Sequence, residues 1–263
     1  MADDKMLIGG EWVGAVSGKT FPVFNPSNGE ILGHAPLGGE VDVDRAVKAA
    51  MKAFPSWSAK LPSERAKLIN RMAIALRENA EELIALEVNE HGTPVQTARG
   101  LVAYGVEVTE YISSISKAVM GEVIPAIPNT LSYLQRVPMG VCAAITPWNL
   151  PFLMMVESIM PALATGNTCV LKPANINSLI AIKFVEILEK ADIPTGIVNL
   201  VTGHGSSVGH ALSRHPDVDI VRFTGSTETG KAIMAAGSQS VKKVIAELGG
   251  NNPVIIYDDA DLT

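Results

Sequence analysis

From residue 141 onward the apolar positions alternate between two kinds of segment. Short runs rich in β-branched and aliphatic residues, near 141–145, 168–172, 197–201, 219–223 and 243–247, have the length and composition of strands. Between them, near 152–164, 178–191, 206–213 and 227–237, apolar residues recur at helical spacing. Strand and helix in turn predict an α/β fold with a parallel sheet and crossover helices. Such sheets take their ligands at the carboxyl ends of the strands.

The first 137 residues are patterned differently. Residues 7–37 are short apolar pieces cut by Gly9-Gly10, Pro22, Asn25-Pro26, Asn28-Gly29 and Pro36, which predict strands and turns. Asp42 or Asp44 can cap a helix running to Phe54, and Pro62-Ser63-Glu64 opens a second, whose Leu68, Ile69, Met72, Ile74, Ala75 and Leu76 keep helical spacing. Asn79-Ala80-Glu81-Glu82 breaks the pattern before a helix ending at His91-Gly92, and a last helix follows Pro94 to about Lys117. Residues 121–137 read as two extended arms around Pro128-Asn129-Thr130, a hairpin reaching out of the domain. An unpaired apolar arm is a liability unless covered, so it is expected to mediate self-association.

The sharpest local signal is 218–233, a β-branched strand, a turn (Thr224-Gly225-Ser226-Thr227-Glu228-Thr229-Gly230) and the start of a helix. Free N–H groups and the positive end of the helix dipole then meet at one point, which suits a phosphate. Residues 225–231 read G-x-x-x-x-G-K, the first seven of the eight positions of a triphosphate-binding P-loop, and Val254-Ile255-Ile256-Tyr257-Asp258 resembles its metal-holding strand. Ala232, however, stands where that motif needs a hydroxyl for Mg²⁺. A nucleoside triphosphatase is therefore a remote alternative, beside a glycine-rich turn with no ligand.

Composition narrows the classes. The chain has 263 residues, 47% apolar and 18% charged, with mean hydropathy +0.24 and net charge −6. A fold of this size buries roughly 70–75% of its unfolded surface. No apolar run reaches the ~18 residues of a membrane helix, since the longest, near 152–164, is interrupted by Glu157 and Pro161. The acidic balance and the lack of a Lys/Arg block argue against nucleic acid or an anionic membrane as partner. Met1-Ala2-Asp3-Asp4-Lys5 shows no leader-like pattern, and Cys142 and Cys169 lie in apolar strands where they serve as small buried hydrophobes. A reducing, cytoplasmic setting is expected. His204, between glycines, has no second ligand spaced to join it and reads as a loop histidine.

The strand ends carry the candidate chemistry: Thr146-Pro147-Trp148-Asn149, Lys172-Pro173-Ala174-Asn175, Thr202-Gly203-His204-Gly205, Thr224-Gly225-Ser226 and Glu247-Leu248-Gly249-Gly250. Taken alone, Asn149 could be a turn residue before Pro151, Glu247 a solvated charge and Trp148 ordinary core. Four segments in order (Ile145-Thr146-Pro147-Trp148-Asn149-Leu150-Pro151; Gly166-Asn167-Thr168 with Leu171-Lys172-Pro173; Phe223-Thr224-Gly225-Ser226-Thr227; Glu247-Leu248-Gly249-Gly250) resemble the signature set of the aldehyde dehydrogenase superfamily. Asn25-Pro26-Ser27-Asn28-Gly29-Glu30 and Asp258-Asp259-Ala260-Asp261-Leu262 extend the resemblance over the whole chain.

The resemblance implies a Rossmann-like sheet with a protruding hairpin and NAD(P)⁺-dependent oxidation of an aldehyde to an acid through a cysteine thioester. Asn149 would stabilise the oxyanion and Glu247 would act as general base. Lys172 would contact the adenosine ribose, Gly225, Ser226 and Gly230 the pyrophosphate, and Trp148 the pocket wall. Thr146, Pro147, Gly203, Phe223, Thr224, Leu248 and Gly249 complete the expected NAD or NADP site. Asn175 departs from the Glu common in NAD⁺-using members and opens the choice of cofactor; Asn251 replaces a usual Lys without clear consequence. The family's nucleophilic cysteine comes a few dozen residues after Glu-Leu-Gly-Gly, and Cys142 and Cys169 do not match it. The expected division is a dinucleotide domain (1–120 and 138–250), an oligomerisation hairpin (121–137) and the start of a catalytic domain (251–263), with the cysteine beyond this chain. The alternative is a dinucleotide-binding fragment with no chemistry of its own.

Overall fold

The computed structural model describes residues 4–251 and 253–261; Met1-Ala2-Asp3 of the acidic lead and Leu262 of the terminal motif lie outside them. Two short antiparallel pairs open the chain, β1 (Met6–Ile8) with β2 (Glu11–Val13) and β3 (Thr20–Phe24) with β4 (Ile31–Pro36). Helices α1 (Glu40–Ser58), α2 (Pro62–Glu78), α3 (Ala80–Leu86) and α4 (Val95–Ile115) follow. The expected hairpin forms between β5 (Glu122–Ile124) and β6 (Ser132–Leu134), with exposed strands. The remainder runs β7 (Val141–Ile145), α5 (Pro151–Ala164), β8 (Thr168–Lys172), α6 (Ser178–Lys190), β9 (Val198–Leu200), α7 (His210–Arg214), β10 (Ile220–Thr224), α8 (Thr227–Gly237) and β11 (Lys243–Glu247).

These last five strands form one parallel sheet in the order β11-β10-β7-β8-β9. Strand side chains alternate between faces, and each face has its own core. Cys142, Ala144, Cys169 and Leu171 pack with α5 and α6, while Val141, Ala143, Val170 and Val221 pack with α1 and the 208–233 segment. The chain leaves β7 toward β8 and β9, then returns to the other side through β10 and β11. Strand order thus reverses between β7 and β10, the point where open α/β sheets form a ligand crevice.

Several boundaries differ from the sequence reading, each for a local reason. Helix α1 starts at Glu40 rather than after Asp42 or Asp44. Asp42 instead reaches back from inside the first turn, its Oδ2 accepting the Gly39 N–H at 3.0 Å and its Oδ1 the Val16 N–H at 3.1 Å. The helix also continues past Phe54 through Pro55 to Ser58. Ile74, expected on the core face of α2, is exposed, whereas Ile69, Met72 and Leu76 are buried. The helix expected near 206–213 is a π-helical turn, Gly205–Gly209, leading into α7, and α3 likewise ends in a π-helical turn, Glu87–His91, closed by Gly92 at φ 84°. Residues 254–258 form no strand and are exposed, which removes the metal-holding strand of the P-loop reading.

Candidate functional site

The turn after β10 leads directly into helix α8. Ser226 is the N-cap of α8, its Oγ accepting the Thr229 N–H at 3.2 Å and donating to Thr229 Oγ1 at 2.9 Å. The backbone N–H groups of Thr227 and Glu228 remain at the open end of the helix dipole. Gly225 is pinned to the neighbouring strand by its N–H, which donates to the Glu247 carbonyl at 3.1 Å. A Cβ at Gly225 would lie 2.5 Å from Phe223 Cζ, and one at Gly230 would lie 2.6 Å from Leu248 Cδ2. Phe223 and Leu248 therefore fill the space under the turn, the buried Phe223 ring leaving no room for a side chain at Gly225.

Two strands away, β8 ends in Lys172, which is buried; burial pushes its amine down to about 8. No carboxylate lies in ion-pair range of it among the described residues. The loop it opens is tied to β7, because the Thr146 N–H donates to the Lys172 carbonyl at 3.0 Å. Asn175 shares a 2.6 Å hydrogen bond between its Nδ2 and His204 Nδ1, and the His204 ring stacks on Phe21 with centroids 6.1 Å apart. His204 is thus a hydrogen-bond partner of Asn175, a contact the sequence reading missed. Gly203, at φ 139°, is buried where a Cβ would meet Val208 Cγ2 at 2.8 Å and the Gly38 carbonyl at 2.9 Å. It shapes the β9 corner by close packing.

Past β7, Thr146 is buried, Pro147 half-buried, and Trp148 and Asn149 are exposed; Trp148, at 58% exposure, is not core. Glu247 ends the edge strand β11 and is exposed, in register with Thr224 of β10. The candidate residues share the carboxyl edge of one sheet but span it all: at about 4.8 Å per strand, Glu247 and Gly203 end strands about 19 Å apart. Asn149, Thr224 and Glu247 group around the β7–β10 reversal, and Lys172, Asn175 and Gly203 group around β8 and β9.

Cys142 and Cys169 face each other in register on β7 and β8, both buried and unbridged. A hydrogen bond to Cys142, together with burial, holds the Cys169 thiol well above its ordinary range. The sequence reading also missed Glu87, Glu90 and His91. Two glutamates at helical spacing look like a solvated face, yet both are buried. Burial raises Glu87 to about 7 and Glu90 to about 8.

A profile described as the aldehyde dehydrogenase family matches residues 12–263. The chain is 44% identical over 257 residues to a hydroxyisobutyraldehyde dehydrogenase of Mycolicibacterium austroafricanum, covering 98% of this chain and 51% of that protein. Among solved structures it is similar to HpcC of Thermus thermophilus, with TM-score 0.94, 41% identity, and coverage of 98% of this chain and 50% of that one. It is similar also to betaine aldehyde dehydrogenase of Staphylococcus aureus in complex with NAD⁺, with TM-score 0.94, 38% identity, and coverage of 98% and 52%. The chain spans about half the length of the relatives it matches.

Proposed function

The chain belongs to the aldehyde dehydrogenase family, and from that premise we propose that its crevice binds NAD⁺ or NADP⁺ in the oxidation of an aldehyde to a carboxylic acid through a cysteine thioester, the cysteine lying beyond this chain. The observation that carries the reading is the capped, glycine-lined start of α8 at the point where strand order reverses, with the buried amine of Lys172 two strands along the same edge. Two strand spacings are about 10 Å, a span suited to one nucleotide. The donor chemistry fits. Free amides at a helix N-terminus suit a pyrophosphate, and a buried ammonium without a carboxylate partner suits ribose hydroxyls.

On this reading Gly225, Ser226 and Gly230 hold the pyrophosphate and Lys172 with Asn175 holds the adenosine ribose. Thr146, Pro147, Trp148, Phe223, Thr224, Leu248 and Gly249 shape the groove between, and Gly203 sets the corner beside it. The bound dinucleotide supplies the hydride acceptor. Asn149 and Glu247 stand on either side of the end of β10. The Asn149 amide would donate to the oxyanion of a tetrahedral adduct, and the Glu247 carboxylate would take the proton from a thiol or a hydrolytic water. Residues 1–120 and 138–250 act as the dinucleotide domain, 121–137 as an assembly hairpin and 251–263 as the entry to a catalytic domain. The burial of both thiols favours a second reading of this chain by itself, dinucleotide binding without chemistry.

Calorimetric titration with NAD⁺ and NADP⁺ tests the site. Saturable binding is expected, and Ser226→Asp should weaken it at least about ten-fold, because Asp caps a helix as well as Ser does but sets a negative charge beside a phosphate. Unchanged affinity in a folded Ser226→Asp chain would remove the phosphate from this turn.

A further inference from the structure

The π-helical turn Glu87–His91 is wedged between the starts of the two helices that leave the crevice. Helix α5 begins two residues after Asn149, and α6 begins three residues after Asn175. Glu90 is buried and accepts two backbone N–H groups from the first turn of α6, Leu179 at 2.7 Å and Ile180 at 2.8 Å. Those are the amides an N-cap side chain normally takes. Asn177, the N-cap residue, takes neither, and its own buried side chain has no hydrogen-bond partner.

Glu87, one turn earlier and also buried, faces the backbone amide of Phe152, the second residue of α5. Its Oε1 accepts the Thr93 hydroxyl at 3.5 Å, while its Oε2 is buried without a partner. The Thr93 hydroxyl in turn shares a 2.6 Å hydrogen bond with His91 Nδ1. The His91 ring lies 6.1 Å from the Trp148 ring, inclined at 39°. A continuous set of contacts therefore runs from Trp148 through His91, Thr93 and Glu87 to the turn, and from Glu90 to α6.

We infer that the turn Glu87–His91 is a positioning element that joins the two crevice loops, 146–150 and 173–177, into one unit, Glu90 holding the second and Glu87 with His91 the first. Burying two carboxyls carries a standing cost, and the upward pKa shifts of both express it. An exposed Ser or Asp cap on each helix would satisfy the same amides more cheaply but would leave the loops independent. A single rigid turn touching both helix starts fixes the loop of Asn149 against the loop of Lys172 and Asn175. The consequence for cofactor binding rests on the dinucleotide reading, whereas the mechanical link does not.

The test uses Glu87→Gln and Glu90→Gln, each nearly isosteric and each keeping one acceptor oxygen. Ile187→Val, in the buried face of α6, serves as a control for lost stability alone. Hydrogen exchange is followed in peptides covering 146–153 and 174–181, and acrylamide quenching in a Trp12→Phe background reports Trp148, since Trp57 is buried. Each Gln variant should speed exchange in both peptides by about five-fold, the effect of one weakened hydrogen bond, and should increase Trp148 quenching; Ile187→Val should do neither. NAD⁺ dissociation constants should rise by about five- to ten-fold in each variant, with the double variant no worse than either, as expected of residues acting through one unit. If each variant loosens only its own helix and Trp148 quenching stays put, the turn is two unrelated caps and the inference is overturned. A wild-type chain that fails to bind NAD⁺ defeats the dinucleotide reading instead, and exchange and quenching then decide the link by themselves. Should Glu90→Gln not fold, Glu90→Asp, which keeps both acceptors on a shorter stem, carries the same measurements.

Discussion

Lys172 is buried at the end of β8 with its amine pushed down to about 8. The unfolded chain, with an ordinary lysine near ~10.4, binds more protons between those values, so stability rises with pH across about 8 to 10.4, and the full penalty is present below about 8. Lys172→Met should therefore raise the urea midpoint at pH 7, by ~1–3 kcal/mol in stability, with the gain shrinking above about pH 8. The same variant should lose about ten-fold in NAD⁺ affinity, the value of a hydrogen bond from a charged donor. A Met variant no more stable than wild type would mean that the cation is not held out of water. At Asn175 the sequence raised the question of cofactor choice, and the structure adds His204 as the group that holds the amide. A carboxylate about 4 Å from a 2′-phosphate costs ~1 kcal/mol in water and ~4 kcal/mol at an effective dielectric of 20. Asn175→Glu should accordingly weaken NADP⁺ binding more than NAD⁺ binding in calorimetry; equal effects would place this position away from the 2′ group. Lys172 and Asn175 were legible because they sit in a motif. His204 was not, because its partner lies 29 residues away in sequence.

The entry to α8 shows why elements tolerate some changes and not others. A Cβ at Gly225 meets the buried ring of Phe223, which has nowhere to go, while one at Gly230 meets Leu248, which is exposed enough to swing aside. Gly225→Ala should lower stability by ~2 kcal/mol, whereas Gly230→Ala, offset by up to ~1 kcal/mol of helix propensity, should change it little; chemical denaturation of the two variants decides. The hairpin of β5 and β6 poses the opposite problem, since Val123, Leu131, Tyr133 and Leu134 are exposed around an open apolar hollow of about 380 Å³. Its two extended arms are legible in the sequence, and they pair as an antiparallel hairpin. Self-association through it is the expected use of so much apolar surface. Sedimentation at tens of micromolar should show oligomers that Leu131→Asp dissociates, and a clean wild-type monomer would refute the assignment. Turns were less legible than strands: Glu87–His91 and Gly205–Gly209 are π-helical where the spacing of apolar residues predicts ordinary helix.

Taken whole, the molecule is a two-faced parallel sheet whose carboxyl edge bears the candidate site and whose interior bears both thiols. Neither thiol should react with a disulfide reagent until the chain unfolds, because both are buried out of its reach and, at Cys169, the hydrogen bond to Cys142 and burial also disfavour the thiolate. This chain alone should thus bind dinucleotide without oxidising aldehydes; NADH formation abolished by Cys142→Ala or Cys169→Ala would reverse that assignment. The β/α alternation after residue 141, the hairpin and the glycine turn at 225–230 followed from sequence alone, because strand and helix periods and glycine's access to tight space are local properties of the chain. Strand order, the reversal between β7 and β10, the burial of Glu87 and Glu90 and the Asn175–His204 pair depended on tertiary structure. Each joins residues distant along the chain, and whether a carboxylate is solvated or capping a helix is settled only by what the fold brings against it.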